Sequence, residues 1–392
     1  MAPLHPPASV GNAASVGAAA PLGLASFRTA VSFRHHATSI AEPHHKMRAA
    51  DAVAPAALPV DSMRAGLIDL AAARMGGRPV LANDEFFAPK TNLLKPGRGV
   101  FVEGKYTSRG KWMDGWETRR RRTPGHDWCI VQLGVPGVIR AATVDTHHFR
   151  GNHPEACSID AAALPGTPAP ARLRTLGDVW TEILTRSPLQ GDSENNFPIT
   201  NDARYTHVRL NIYPDGGVAR LRLWGEVRPD WARIRAGRAR VDLVAVQYGG
   251  VPLAASDQFF SEPLNLLLPG RPVDMGDGWE TRRRRGPGHD WVVLRLGHRG
   301  TIDEVVVDTT HFKGNFPDSC RLEGLDAPEL EPTVAPDDRA GWRELVARTK
   351  LKADTSHRFR AVGRSGPVTH VRFSMFPDGG VARLRLLGKP VA

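Results

Sequence analysis

Along residues 207–223 apolar and polar side chains alternate with a period of two. Val208, Leu210 and Ile212 interleave with His207, Arg209, Asn211 and Tyr213, and Ala219, Leu221 and Leu223 interleave with Arg220 and Arg222. Successive strand side chains point to opposite faces, so each stretch reads as a strand with one buried face. Pro214-Asp215-Gly216-Gly217 between them reads as the turn of a hairpin. The same pattern returns with Val371, Phe373 and Met375 before a turn and Ala382, Leu384 and Leu386 after it. Val131 with Leu133, and Val305 to Val307, add short strands between Gly and Pro turns, while one helical segment per copy is expected at Trp180–Leu184 and Trp342–Ala347. Many short strands at this spacing predict an all-β chain, a sandwich or jelly roll in each copy.

Sliding the chain against itself shows that the copies are long. Ile68-Asp69-Leu70, Gly76-Gly77 and Asn83 to Phe87 return 173 residues later as Val241-Asp242-Leu243, Gly249-Gly250 and Ser256 to Phe260. The offset then falls to 163. There Asp114 to Arg122 matches Asp277 to Arg285, Gly125 to Trp128 matches Gly288 to Trp291, and Cys157 matches Cys320. Val144-Asp145-Thr146, His148-Phe149 and Gly151-Asn152 likewise match Val307-Asp308-Thr309, His311-Phe312 and Gly314-Asn315. The shorter offset places an extra loop near Phe101 to Gly110 in the first copy. Units of this size exceed the roughly 20–45 residues of solenoid repeats. They read as tandem domains over residues 64–230 and 231–392, with a linker near Glu226 to Arg240.

Composition narrows the class. The 392 residues are 41% hydrophobic and 24% charged, with no long apolar run, so no membrane partner is expected. Three cysteines, Cys129, Cys157 and Cys320, without a Cys-x-x-Cys pair, argue against a disulfide framework or zinc ribbon. A reducing, cytoplasmic compartment is the expectation. Residues 1–63 are rich in Ala, Pro, Ser and His without periodicity, and read as a disordered or mis-started extension. Pro3, Pro6 and Pro7 interrupt any signal-peptide core; the stretch around Ala25 to His36 fits a transit peptide or a start codon misassigned upstream of Met47 or Met63.

The net charge is +11, and residues 1–63 hold four bases against three acids, so +10 of it lies beyond them. Two arginine quartets, Arg119 to Arg122 and Arg282 to Arg285, supply eight positive charges. Aromatic stacking positions do not interleave with them, so nucleic acid is not an expected partner. Guanidinium is a bidentate clamp for carboxylates, and on a strand at most two arginines of each quartet face one pocket, as Arg119 with Arg121 or Arg282 with Arg284 would. The alternative is structural ion pairing with Glu117, Glu280 and nearby acids. His126-Asp127 and His289-Asp290, with Asp145, His147 and His148 against Asp308 and His311, are the acid–base candidates. Asp145 and His148 need a loop or bulge to cooperate, because three residues apart they fall on opposite faces of a regular strand. No cofactor is expected, although the Asp/His pairs could hold a divalent metal. Cys157 and Cys320 read as small core residues.

The duplicated words GWETRRRR, GHDW, VDT..HF.GN and PDGGVARLRL resemble the allantoicase family over residues 68–388. The resemblance implies two tandem jelly-roll domains of the galactose-binding-like sandwich class, and hydrolysis of allantoate to ureidoglycolate and urea in purine breakdown. Allantoate is a small carboxylate whose central carbon bears two ureido groups. On that reading Arg119 or Arg121, and Arg282 or Arg284, hold the carboxylate, with Asn152 and Asn315 beside it. Asp145/His148 or Asp308/His311 act as base and acid, and Glu117, Glu280, His126 and His289 orient them. A homo-oligomer is expected. A non-catalytic tandem ligand-binding module is the competing reading.

Overall fold

A computed structural model describes residues 66–391 apart from 238, 332, 338–340 and 361–365. The extension expected over residues 1–63 lies outside the described residues. The first repeat runs β1 (Ile68–Asp69), β2 (Arg78–Ala82), β3 (Tyr106–Thr107), β4 (Gly110–Lys111), β5 (Trp116–Glu117), β6 (Asp127–Asp145), β7 (Ala156–Ala162), β8 (Thr181–Pro188), β9 (Glu194–Pro198), β10 (Arg204–Tyr213), β11 (Gly217–Val218) and β12 (Arg220–Val227). The second runs β13 (Val241–Asp242), β14 (Val251–Ala255), β15 (Trp279–Glu280), β16 (Asp290–Asp308), β17 (Ser319–Leu325), β18 (Arg343–Lys350), β19 (Ser356–Arg360), β20 (Val368–Phe376), β21 (Gly380–Val381) and β22 (Arg383–Pro390). The β3–β4 hairpin is the extra loop of the first copy and has no counterpart among the described residues of the second. The fold is all-β, with two tandem sandwiches.

One 19-residue strand builds each sandwich. The first half of β6 pairs with β2 and β10, and its second half pairs with β12 and β9. Leu133 to Pro136 carry the crossing between the layers. In the first layer β10 continues to β7 and β8; in the other, β12 continues to β1. β16 repeats the arrangement with β14, β20, β22 and β19. The short strands expected at Val131–Leu133 and Val305–Val307 are therefore segments of long ones.

Two expectations need correction. The stretches around the Pro-Asp-Gly-Gly turn are strands with one buried face, but they form no hairpin. β10 pairs with β6 and β7, whereas β12 pairs with β6 and β1. Alternation gives a strand its buried face but leaves its partner open, and here the turn carries the chain from one layer to the other. The helical segments expected at Trp180–Leu184 and Trp342–Ala347 are the edge strands β8 and β18, pairing with β7 and β17. Branched Thr181, Ile183 and Thr185 suit a strand. The stretch expected as a linker holds a short helix, Trp231–Ala236, whose N-cap Asp230 accepts the Arg233 N–H at 2.9 Å.

The inward faces close one apolar core. Cys129, Val131, Leu133, Val208, Leu210 and Ile212 of the first layer meet Ile139, Val144, Leu221 and Leu223 of the other. Trp116 and Trp279 are fully buried, each indole N–H donating to a backbone oxygen, of Asp84 at 2.8 Å and of Asp257 at 3.0 Å. Cys157 and Cys320 are core residues as expected, and burial pushes each thiol up to about 12. Among the described residues no helix is long and apolar enough to cross a membrane.

The turn itself is packed to the limit. A Cβ added at Gly217 would lie 2.0 Å from the Phe149 ring, and at Gly380 1.9 Å from Phe312. Gly217→Ala is expected to destabilise the chain by about 1–3 kcal/mol, as overpacking does. Chemical denaturation reads this as a lower midpoint.

Candidate active site

Both ends of β6 return to the Pro214–Gly217 turn, which thereby gathers the candidate residues at one rim. Pro214 O accepts the Asp127 N–H at 3.2 Å, and Ala219 N donates to Asp145 O at 2.7 Å. Gly217 N donates to Asn152 O at 2.8 Å, and Asp215 Oδ2 accepts the Arg121 N–H at 2.8 Å. The second copy repeats each bond: Pro377 O with Asp290, Ala382 with Asp308, Gly380 with Asn315, and Asp378 with Arg284.

The quartets lie in irregular chain after β5 and β15 and do not alternate on a strand. Arg119 is clamped to Asp84 through Nε and Nη2, both at 2.7 Å, and Arg282 pairs with Asp257 at 2.9 Å. These two arginines brace the rim. Arg121 and Arg284 lie half-buried beside Asp127 and Asp290, and the Nε of each is buried without a hydrogen-bond partner. Glu117 and Glu280 pair with neither: Asn152 donates to Glu117 at 2.7 Å, and Asn315 donates to Glu280 at 2.5 Å. Burial raises the Glu117 carboxyl above the usual carboxylate range, against the Asn152 bond.

Asp145 ends β6, and His148 follows in a left-handed turn with φ 68°, as His311 does with φ 73°. A turn thus stands where the pairing of Asp145 with His148 called for a loop, and the Asp145 carboxylate accepts the backbone N–H of His147 at 2.9 Å. Asp192 Oδ1 accepts the His148 N–H at 2.8 Å and lies 3.1 Å from His147 Nδ1. The two imidazoles lie tilted against each other with centroids 3.9 Å apart, and Phe101 of the extra loop packs on His148. Burial, with His147 beside it, lowers the His148 imidazole below its ordinary value. Among the described residues His147, His148 and Asp192 could hold a cation, their ligand atoms lying within 4.8 Å of one another. Thr310 stands in the His147 position of the second copy and bonds Asp308, so the pair of imidazoles belongs to the first repeat.

A second cluster covers the outer face of the first layer. The outward residues of β7 and β10 lie in register, Ser158 and Trp128 flanking Asn211, and Asp160 facing Arg209. Arg209 holds Asp160 through two nitrogens at 3.0 and 2.8 Å, and Asn211 Nδ2 donates to Asp160 at 2.7 Å and to Ser158 at 3.0 Å. Ser158 Oγ shares a hydrogen bond with the Tyr213 hydroxyl at 3.0 Å. The His126 ring packs tilted against Tyr213 at 4.7 Å, Arg186 lies over the same ring, and Arg209 lies over Trp180. Burial lowers the His126 imidazole, Arg209 and Arg121 push the same way, and Asn211 and Asp160 oppose them. Arg121 Nε, Asn211 Oδ1 and Trp180 Nε1 are buried here without hydrogen-bond partners.

Sequence reasoning placed His126, Arg121 and His147 but missed Ser158, Asp160, Arg186, Arg209, Asn211 and Tyr213, together with Asp192. Arg209, Asn211 and Tyr213 read as ordinary solvent-facing positions of an alternating strand. The available signal was that Asp160 and Arg209 recur, at the offset of 163, as the acid Glu323 and the base Arg372. The structure also has a groove of about 510 Å³ beside Arg282 and Phe259, and one of about 430 Å³ between the repeats beside Trp231 and Arg295. Neither contains the imidazole clusters.

Comparison with known proteins converges on one family. The model of the allantoicase repeat matches twice, over residues 68–228 and 241–391. A probable allantoicase of Pseudomonas aeruginosa strain UCBPP-PA14 is 49% identical over 325 residues, covering 82% of this chain and 96% of the relative. A probable allantoicase of Ralstonia nicotianae is 48% identical over 323 residues, covering 82% and 94%. The crystal structure of allantoicase from Saccharomyces cerevisiae superimposes with a TM-score of 0.69 at 36% identity, covering 82% of this chain and 93% of that one. With both repeats matched, the chain belongs to the allantoicase family.

Proposed function

We propose that the chain hydrolyses allantoate to ureidoglycolate and urea, and that the outer-face cluster of the first repeat carries the reaction. The observation behind this placement is the set of buried polar atoms without a hydrogen bond there: two donors, Trp180 Nε1 and Arg121 Nε, the latter 3.7 Å from Asp127 Oδ1, and one acceptor, Asn211 Oδ1. Allantoate presents their complements, a carboxylate for the guanidinium, a ureido carbonyl for the indole and a ureido N–H for the amide oxygen.

His126 supplies the proton transfers. Its lowered pKa keeps the imidazole neutral at neutral pH, as a base requires. It takes a proton from water as the water oxygen bonds to the central carbon. As the carbon–nitrogen bond breaks, the same proton passes to the departing urea nitrogen. Arg121 holds the carboxylate against this motion, and Asp160 with Arg209 fixes the Asn211 amide.

A second reading is favoured by the histidine pair: Asp145, His147, His148 and Asp192 would carry base and acid at the rim, with Glu117, its carboxyl raised by burial and held by Asn152, as a neighbour. A divalent metal, if one is used, would sit on His147, His148 and Asp192. A homo-oligomer and a cytoplasmic location stay part of the proposal, the exposed pairs Phe86–Phe87 and Phe259–Phe260 supporting the former.

The pH profile tests the His126 assignment. A base must be neutral to act, so activity falls as pH drops through its pKa. Because that pKa is lowered, the acid limb of kcat/KM is expected below the ordinary imidazole value of about 6.5. An acid limb above that value contradicts the assignment.

A further inference from the structure

The second repeat keeps the outer-face cluster but has changed its chemistry. Phe376 replaces Tyr213, Ser374 replaces Asn211, Glu323 replaces Asp160 and Arg321 replaces Ser158, at equivalent register. Phe376 cannot make the hydroxyl bond that Tyr213 makes, and the amide acceptor is gone. In exchange the site gains a guanidinium. Arg321 and Arg372 converge on Glu323 at 3.1 and 2.9 Å. Arg348 lies 4.1 Å over the Phe376 ring, on which His289 stacks at 4.4 Å. Arg284 pairs with Asp290. Four guanidiniums therefore face two carboxylates, and burial together with Arg321, Arg372 and Arg284 lowers the His289 imidazole.

The unpartnered buried atoms differ accordingly. They are Arg321 Nε, Arg284 Nε and the hydroxyl of Ser374, a residue with 0% exposure lying between Trp291 and Arg321 on the sheet. The Asp290 Oδ2 is also unpartnered, on a carboxylate already ion-paired with Arg284. The first-repeat cluster offers donors and an amide acceptor, which suits a ureido acid. Its twin offers donors beside excess positive charge, which suits a ligand whose polar end only accepts.

We propose that the second-repeat cluster is a non-catalytic binding site for a small carboxylate. The ligand's carboxylate spans Arg321, Arg284 and the Ser374 hydroxyl. Product or a related organic acid would bind there without being turned over. The inference rests on the reading that catalysis belongs to the first repeat.

Ureidoacetate, a stable acid with one ureido group and one carboxylate, is the probe, measured by titration calorimetry on the full chain. The wild type is expected to bind it at both clusters. Arg321→Ser, which installs the residue already tolerated at the twin position, is expected to weaken the second event about 10–100-fold. Turnover of allantoate alone should be retained. Arg348→Gln on the exposed edge strand should weaken the same event with less risk to folding. Inorganic phosphate should compete at this site; filling by phosphate with no ureidoacetate binding overturns the carboxylate assignment. A single binding event in the wild type, untouched by Arg321→Ser, overturns the inference alone. Loss of turnover in a folded Arg321→Ser protein moves catalysis to the second repeat and overturns both readings.

Discussion

His126→Ala is expected to lower kcat for urea release by about 10²–10⁴-fold, the usual worth of a positioned acid–base group. KM should change far less, because the imidazole holds a proton and Arg121 holds the substrate. Arg121→Ala should show the opposite split, raising KM as well as lowering kcat. His148→Ala separates the two readings of the first repeat: retained turnover leaves the reaction at His126, whereas a loss matching His126→Ala brings the rim into the chemistry. His311→Ala tests the second copy in the same assay. Unchanged turnover in a folded His311→Ala protein removes Asp308 and His311 from the reaction.

Asp114→Ala is expected to cost about 3–5 kcal/mol of stability, the usual penalty for stranding one member of a buried ion pair. Arg220 is 3% exposed and spends its donors on the rim loop. Its Nη2 bonds Asp114 Oδ2 at 2.5 Å, its Nη1 bonds the Asp114 and Ala219 carbonyls at 2.8 and 2.7 Å, and its Nε bonds Gly97 O at 3.2 Å. Removing the carboxylate leaves that guanidinium buried beside neutral carbonyls and frees Lys95, which bonds the other carboxylate oxygen at 3.0 Å. The twin pair, Asp277 with Arg383, repeats the Nη bonds but leaves the Arg383 Nε without a hydrogen-bond partner, and its carboxylate side chain is 24% exposed against 5% for Asp114. Asp277→Ala should therefore cost less. Equal losses in guanidinium-induced unfolding would contradict the account of the first rim as the more tightly held.

The sequence is legible where its signal is local or duplicated. Alternation over 207–223 identifies strands, and the two copies of GWETRRRR and PDGG identify tandem domains and the rim. Pairing is not local, which is why the Pro214–Gly217 turn reads as a hairpin although β10 and β12 belong to opposite layers. The length of β6 is hidden for a related reason: Gly134 and Pro136 look like a break, yet they are where the strand crosses between sheets. The site was half legible. His126, Arg121, Asp145 and His148 announce themselves as charged words in repeated motifs. Asp160, Arg209 and Asn211 meet only through strand register, and Asp192 reaches His148 from 44 positions away. Arg119, by contrast, looks like a ligand clamp until Asp84 is seen to occupy it.

Urea release from allantoate by the purified chain, with and without prior chelator treatment, tests the central claim most directly. The account predicts release in both arms, since His126, Asn211 and Arg121 need no metal. Release lost on chelation and restored by a divalent cation would instead assign the reaction to His147, His148 and Asp192. No release in either arm from a folded protein would contradict the allantoate-hydrolysis account.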